Sequence, residues 1–182
     1  LHKEYRRQRQ MCIRDRFFFL PGGMGVNFIK QFNGAGLGKD IVLLAPGFSG
    51  DEDTIGAVGA PIEGLRNTSQ WAVDLDNPAN RQFVADFKKA YNRSPTLYAS
   101  QGYDAAMLLD SAVRQTGGKL GADALRPALR RADFKSVRGD FKFNRNQYPI
   151  QNYYLRTIEK GADGKLANKL SGTVLTLSLI HI

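Results

Sequence analysis

The chain has 182 residues, 42% of them apolar and 10% aromatic, enough for one large globular domain or two small ones. Its formal charge of +9 is unevenly spread: six Lys or Arg against Glu4 and Asp15 give residues 1–16 a share of +4. Residues 17–175 contain neither His nor Cys, which excludes Cys nucleophiles, Ser–His pairs, His bases, disulfides and His- or Cys-based metal sites from that span.

Cys12, His2 and His181 sit in the two ends. The basic stretch 1–16 has no apolar periodicity, no helix cap and no apolar core of an export signal. MCIRDR near the start and LSLIHI at the end resemble translated sequencing-adapter read-through. Segments 1–16 and 176–182 are therefore expected to be an artefact or a disordered arm. A basic arm of this kind could otherwise bind nucleic acid. The lysines and arginines of 126–145 are scattered over several elements and read as solvated surface, so no nucleic-acid partner is expected. No apolar run approaches the roughly 20 residues of a membrane-spanning helix.

In chain order, residues 17–20 are a short apolar run stopped by Pro21-Gly22-Gly23, as at the end of a buried strand. Val26, Ile29 and Phe32 have helical spacing over 26–35, closed by Gly36. Residues 41–45 (IVLLA) form a second buried strand, ended by Pro46-Gly47. A short helix starts in the acidic trio Asp51, Glu52, Asp53, which suits its dipole. Residues 65–73 alternate loosely, as a third strand does. Asn77-Pro78 is a strong helix start, with Phe83, Phe87 and Tyr91 on one face after it. A largely apolar helix covers 98–116, and Asp123 caps another with Pro127 in its first turn. Strands over 139–143 and 153–159 close the chain. The succession predicts an α/β domain in which helices flank a mostly parallel sheet. Residue 17 opens in mid-strand, so an N-terminal portion is expected to be missing.

Chemistry-bearing motifs are few. PGGMG (residues 21–25) lies between a strand and a helix, yet Gly23-x-Gly25-x-x-Phe28 lacks the third glycine of a dinucleotide fingerprint. No acidic ribose ligand follows the second strand, and no Gly-Lys-Ser/Thr sequence exists for a phosphate loop. The turn is either a tight bend needing small residues or a helix start whose N–H groups hold an anion such as a carboxylate. The second strand exits through Ala45-Pro46-Gly47-Phe48-Ser49-Gly50. Crevices beyond the carboxyl ends of such strands take ligands, and both loops are expected to line one. Phe48 is placed in that cleft, Trp71 in the core. No catalytic residue, metal ligand or cofactor is assigned.

FFFLPGGMGVNFIKQFNGAGL, IVLLAPGFSG and DLDNPANRQFVADFKKAYNRSPTLYASQGYDAAMLLDSAV, in that order, resemble the leucine/isoleucine/valine-binding branch of the type I periplasmic solute-binding proteins of ABC importers. The ending GDFKFNRNQYPIQNYYLRTI is similar to members that take up aromatic acids. The resemblance implies a type I periplasmic-binding-protein fold, two α/β lobes joined by three crossings. Residues 17–93 would be the second lobe, 94–135 a returning segment of the first, and 136–175 a return to the second. It also implies a periplasmic, monomeric, non-enzymatic protein whose export signal is absent from this chain, with a small-molecule ligand (amino acid or aromatic acid) and an ABC permease as partners. By alignment, Gly47 stands where amino-acid binders of the family place an acidic side chain that pairs with the ligand's ammonium. An ammonium buried without a counter-charge is costly, so the departure favours a carboxylate without an amine; Asp51 could substitute only if the loop folds back. Pro21, Gly22, Met24, Gly47, Phe48 and Ser49 are the ligand-binding candidates, with Tyr98 and Gln101 near the hinge return. The alternatives are a ligand-sensing domain of a receptor or regulator with the same fold, and a cofactor-dependent enzyme on a doubly wound sheet.

Overall fold

The computed structural model of the chain describes residues 15–178; Cys12 and both histidines lie outside them. The described residues divide into two compact units: residues 15–67 with 157–168, and residues 68–156 with 169–178. Strands β3 (Arg66–Ser69), β5 (Pro149–Lys160) and β6 (Leu166–Ser178) each run from one unit into the other.

In the first unit, β1 (Asp15–Phe17) and β2 (Val42–Pro46) run parallel, with Asp15 opposite Val42 and Phe17 opposite Leu44. The ladder continues one residue further, where the Phe18 N–H donates to the Leu44 carbonyl at 3.0 Å. The expected buried strand is thus buried on one face only: Phe18 points inward while Phe17 and Phe19 are exposed, as period-two alternation requires. Helix α1 (Gly22–Gly34) makes the crossover and buries Ile29 and Phe32. It starts four residues before the apolar periodicity does, because the glycines of the turn already belong to it. Helix α2 (Glu52–Val58) follows β2 and contributes Ile55 and Val58 to the same core. Strand β5 returns beside β3's approach: the Ile158 N–H donates to the Leu65 carbonyl at 3.0 Å, and Ile158 is fully buried.

The second unit is built mainly from three helices, α3 (Pro78–Tyr91), α4 (Leu97–Gln115) and α5 (Ala122–Arg131). The start of α3 follows from its sequence: the Asn77 side chain accepts from the Asn80 N–H at 2.8 Å, and Pro78 occupies the first position. Phe83, Phe87 and Tyr91 stack along its face with centroids 5.8 and 4.6 Å apart. Phe83 packs edge-on to Trp71 at 6.3 Å, in a core that includes Leu97, Val137 and Tyr154. Among the described residues, no helix is long and apolar enough to cross a membrane.

Several expectations are corrected. The third strand stops at Ser69 instead of reaching residue 73, because from Trp71 the chain turns inward and Leu75 bonds back to the Ala72 carbonyl. Gly121, not Asp123, flanks the start of α5, so Pro127 is the sixth helical residue and lies inside the helix, beyond its first turn. The strand expected over 139–143 is only β4 (Lys142–Phe143), and it pairs antiparallel with β5, Phe143 opposite Pro149; the strands are therefore mixed in direction. Strand β6 was not foreseen at all. It includes residues 176–178 of the stretch expected to lie outside the fold, just as β1 includes Asp15 and Arg16.

Candidate functional site

The two loops expected to line one crevice do meet, at the carboxyl ends of β1 and β2. The Leu20 carbonyl, at the exit of β1, accepts from the Ser49 hydroxyl at 3.1 Å. The Phe19 and Phe48 rings meet edge-on with centroids 5.0 Å apart. Gly47–Gly50 forms a short 3-10 turn in which Gly47, Ser49 and Gly50 are buried and Phe48 is half-buried. Pro21, Gly22 and Met24 are exposed at the opening of α1, beside the buried Gly47, Ser49 and Gly50 of the other loop.

Both ends of this arrangement depend on missing side chains. A Cβ on Gly25 would sit 2.4 Å from the Leu20 carbonyl oxygen, so only glycine lets α1 start this close to the strand exit. Gly25→Ala is expected to destabilise the protein by about 1–3 kcal/mol, since overpacking against backbone outweighs the helix-propensity gain of about 0.5–1 kcal/mol. Chemical denaturation measures it, and an unchanged midpoint would show that the strand exit yields freely. On the other loop, a Cβ on Gly50 would sit 2.8 Å from the Asn67 amide nitrogen.

The 47–50 turn is anchored from behind by buried amides. The Asn168 side chain donates to the Gly50 carbonyl at 2.8 Å and to Glu52 Oε1 at 3.1 Å, and it accepts from the Asn67 amide at 2.9 Å. Both asparagines are at most 1% exposed. Neither was singled out in the sequence, where lone neutral asparagines carry no signal.

Tyr98 and Gln101 belong to the second unit, on the first turns of α4, and both are exposed. Two concavities of that unit, about 840 and 540 Å³, are lined by residues around Pro78, Phe134 and Phe141 and around Leu108, Leu125 and Phe143; neither includes a candidate residue. Trp71 is fully buried, as expected. The acidic trio is corrected in part: Asp51 is buried, Glu52 is half-buried, and only Asp53 is exposed. The basic residues of 126–145 are likewise not all solvated surface. Arg138 donates from Nε to Asp104 at 2.8 Å, with side chains 13% and 2% exposed, and its guanidinium lies 4.5 Å from the Phe141 ring centroid. The signal for Asp104 was available: a carboxylate on the buried face shared by Leu97, Ser100 and Ser111 needs a partner. Among the described residues, no group of His, Cys, Asp and Glu is placed to hold a metal ion.

Known proteins are similar to this chain in sequence and fold. Residues 16–165 match the family described as "Periplasmic binding protein". The chain is 34% identical over 158 residues to the Leu/Ile/Val-binding protein homolog 6 of Brucella melitensis, covering 84% of this chain and 40% of that protein. The solute-binding protein of an ABC transporter from R. palustris, solved in complex with benzoate, superposes with a TM-score of 0.78 at 35% identity over 96% of this chain and 47% of that one. A second, from Rhodopseudomonas palustris BisB5 in complex with 3,4-dihydroxy benzoic acid, gives 0.81 at 30% identity over 97% and 49%. The chain thus spans less than half the length of each of these proteins. With that order of strands, helices and strand-exit loops, the chain belongs to the periplasmic binding protein family and has its type I α/β fold.

Proposed function

We propose that this chain is part of the solute-binding component of an ABC importer, which holds a carboxylate-bearing solute without an amine, an aromatic acid, and delivers it to a permease. Gly47 carries the reading. It is buried at the head of the turn beyond β2, where the resemblance calls for an acidic side chain in amino-acid binders. A ligand ammonium there would lose water without gaining a carboxylate at that position, whereas a benzoate-like acid has no such demand. The exposed N–H groups opening α1 suit a carboxylate, and the paired Phe19 and Phe48 rings suit an aromatic ring. The ligands of the two R. palustris relatives, benzoate and 3,4-dihydroxy benzoic acid, support the same class.

The function is capture, not turnover. Pro21, Gly22, Met24, Gly47, Phe48 and Ser49 are assigned to the ligand from the first unit, and Tyr98 and Gln101 are kept as candidate contacts of the second. The ligand favours closure only to the extent that it binds the closed form more tightly. The place of action is the periplasm. Thermal shift on the full-length protein tests the ligand class. Benzoate and 4-hydroxybenzoate at a hundredfold excess over Kd are expected to raise Tm by about 3–5 °C, and leucine to leave it unchanged. A response to leucine and to neither acid would overturn the Gly47 reading.

A further inference from the structure

Two of the points at which the chain leaves the first unit fall directly after Asn67 and after Asn168. These two residues share a hydrogen bond, Asn67 Nδ2 to Asn168 Oδ1 at 2.9 Å, although 101 positions separate them in sequence. The free hydrogens of the Asn168 amide are directed at the candidate loop: one bond of 2.8 Å reaches the Gly50 carbonyl and one of 3.1 Å reaches Glu52 Oε1. Asn67 also limits the loop sterically, since its amide nitrogen occupies the place a Cβ of residue 50 would take. On the loop's other side, the Ser49 hydroxyl is held by the Leu20 carbonyl at 3.1 Å. The 47–50 turn is therefore clamped between the exit of β1 and the two strands on which the chain leaves the unit.

We infer that Asn168, held by Asn67, is a positioning residue for ligand binding: it fixes the backbone of the 47–50 turn, and it does so from a chain crossing. The bond to Gly50 is main-chain directed, so it sets where the turn's backbone lies whatever side chains stand at 48 and 49. A buried amide satisfied on both sides has one orientation, because rotating it would face its nitrogen to the Asn67 donor and its oxygen to the Gly50 carbonyl. Any change at the crossing after Asn168 that moves this side chain moves the turn with it. The inference rests on the functional reading above for its ligand, but its structural half stands without one.

The test uses Asn168→Leu in the full-length protein, similar in size and without donors, beside Ile158→Val, a core substitution in the same unit whose side chain has no donor or acceptor to enter the amide chain. Both are expected to lower Tm. Only Asn168→Leu is expected to raise the Kd for benzoate, by about tenfold, because Kd between folded protein and ligand does not register a uniform loss of stability. Hydrogen exchange needs no ligand. In Asn168→Leu the amides of residues 47–53 are expected to lose protection at least tenfold relative to those around Ile29 and Phe32, and in Ile158→Val they are not. Unchanged exchange over 47–53 overturns the inference, as does a Kd within twofold of wild type. If wild type binds no aromatic acid while the exchange result holds, the ligand reading fails and the clamp stands. Where Asn168→Leu does not fold, Asn67→Ala carries both measurements with an expected effect of about threefold on each.

Discussion

Asp104→Ala is expected to lower the stability of the protein by about 3–5 kcal/mol, the loss typical of breaking a buried ion pair from one side. Three groups converge on that carboxylate: the Ser136 hydroxyl at 2.6 Å, the Val137 N–H at 3.0 Å and the Arg138 Nε at 2.8 Å. Removing it leaves the half-buried Arg138 without its anion, although the guanidinium keeps its bond to Gln151 at 2.8 Å and its place against Phe141. The segment 136–138 would also come loose from α4. Asp104→Asn retains shape and one acceptor, and its cost should fall at about half that of the alanine. Urea denaturation of the pair gives both numbers; a loss under about 1 kcal/mol for the alanine would mean that Arg138 finds water or another partner at no cost. Near the melting temperature the larger loss corresponds to a fall of roughly 10 °C for a chain of this size.

Trp71→Ala should cost a similar amount, about 3–5 kcal/mol, for a different reason. The side chain is fully buried and fills the centre of the second unit's core, in contact with Phe83. Its indole Nε1–H donates to Asn80 Oδ1 at 2.7 Å, while the Asn80 amide nitrogen reaches the Leu75 carbonyl at 3.0 Å. The loop 71–75 and helix α3 are joined through that one asparagine. Trp71→Phe separates volume from hydrogen bonding: it keeps most of the apolar contact but leaves Asn80 Oδ1 without its donor, and about 1–3 kcal/mol is expected. If the phenylalanine variant were as stable as wild type, the indole bond would contribute nothing and the whole cost in the alanine would be cavity. Calorimetry on the three proteins decides between these.

The two substitutions differ in how far the sequence foretold them. Trp71 in the core follows from its size and its apolar neighbours, and the structure agrees. Asp104 and Arg138 stand 34 positions apart, one inside a helix that reads as apolar and one among basic residues that read as surface. Charge alone suggested water for Arg138, and only the fold brings the carboxylate beside it. Loops show the same division. Pro21-Gly22-Gly23 and Pro46-Gly47 mark both strand exits, and the bond between Ser49 and Leu20 shows that the two loops meet. That Gly25 admits the Leu20 carbonyl, that Asp51 is buried and that Asn168 fixes the turn are matters of contact between distant segments.

What the sequence by itself determined about this protein is what local chemistry controls. The Asn77-Pro78 start of α3, the helical spacing of Ile29 with Phe32 and of Phe83 with Phe87, and the proline and glycine that end β2 are all settled within a few residues, because capping, period and turn conformation are short-range. The ordered set of such segments was also enough to indicate the family. Only the tertiary structure decided how far β3 extends, that β6 exists, which face of β1 is buried, and which polar side chains lie inside. Strand identity depends on a partner's hydrogen bonds, and the burial of a polar group depends on a counterpart arriving from elsewhere in the chain. Gly47 belongs to both accounts: its identity is plain in the sequence, and its burial at the head of a turn clamped by Asn168 and Ser49 is a property of the fold.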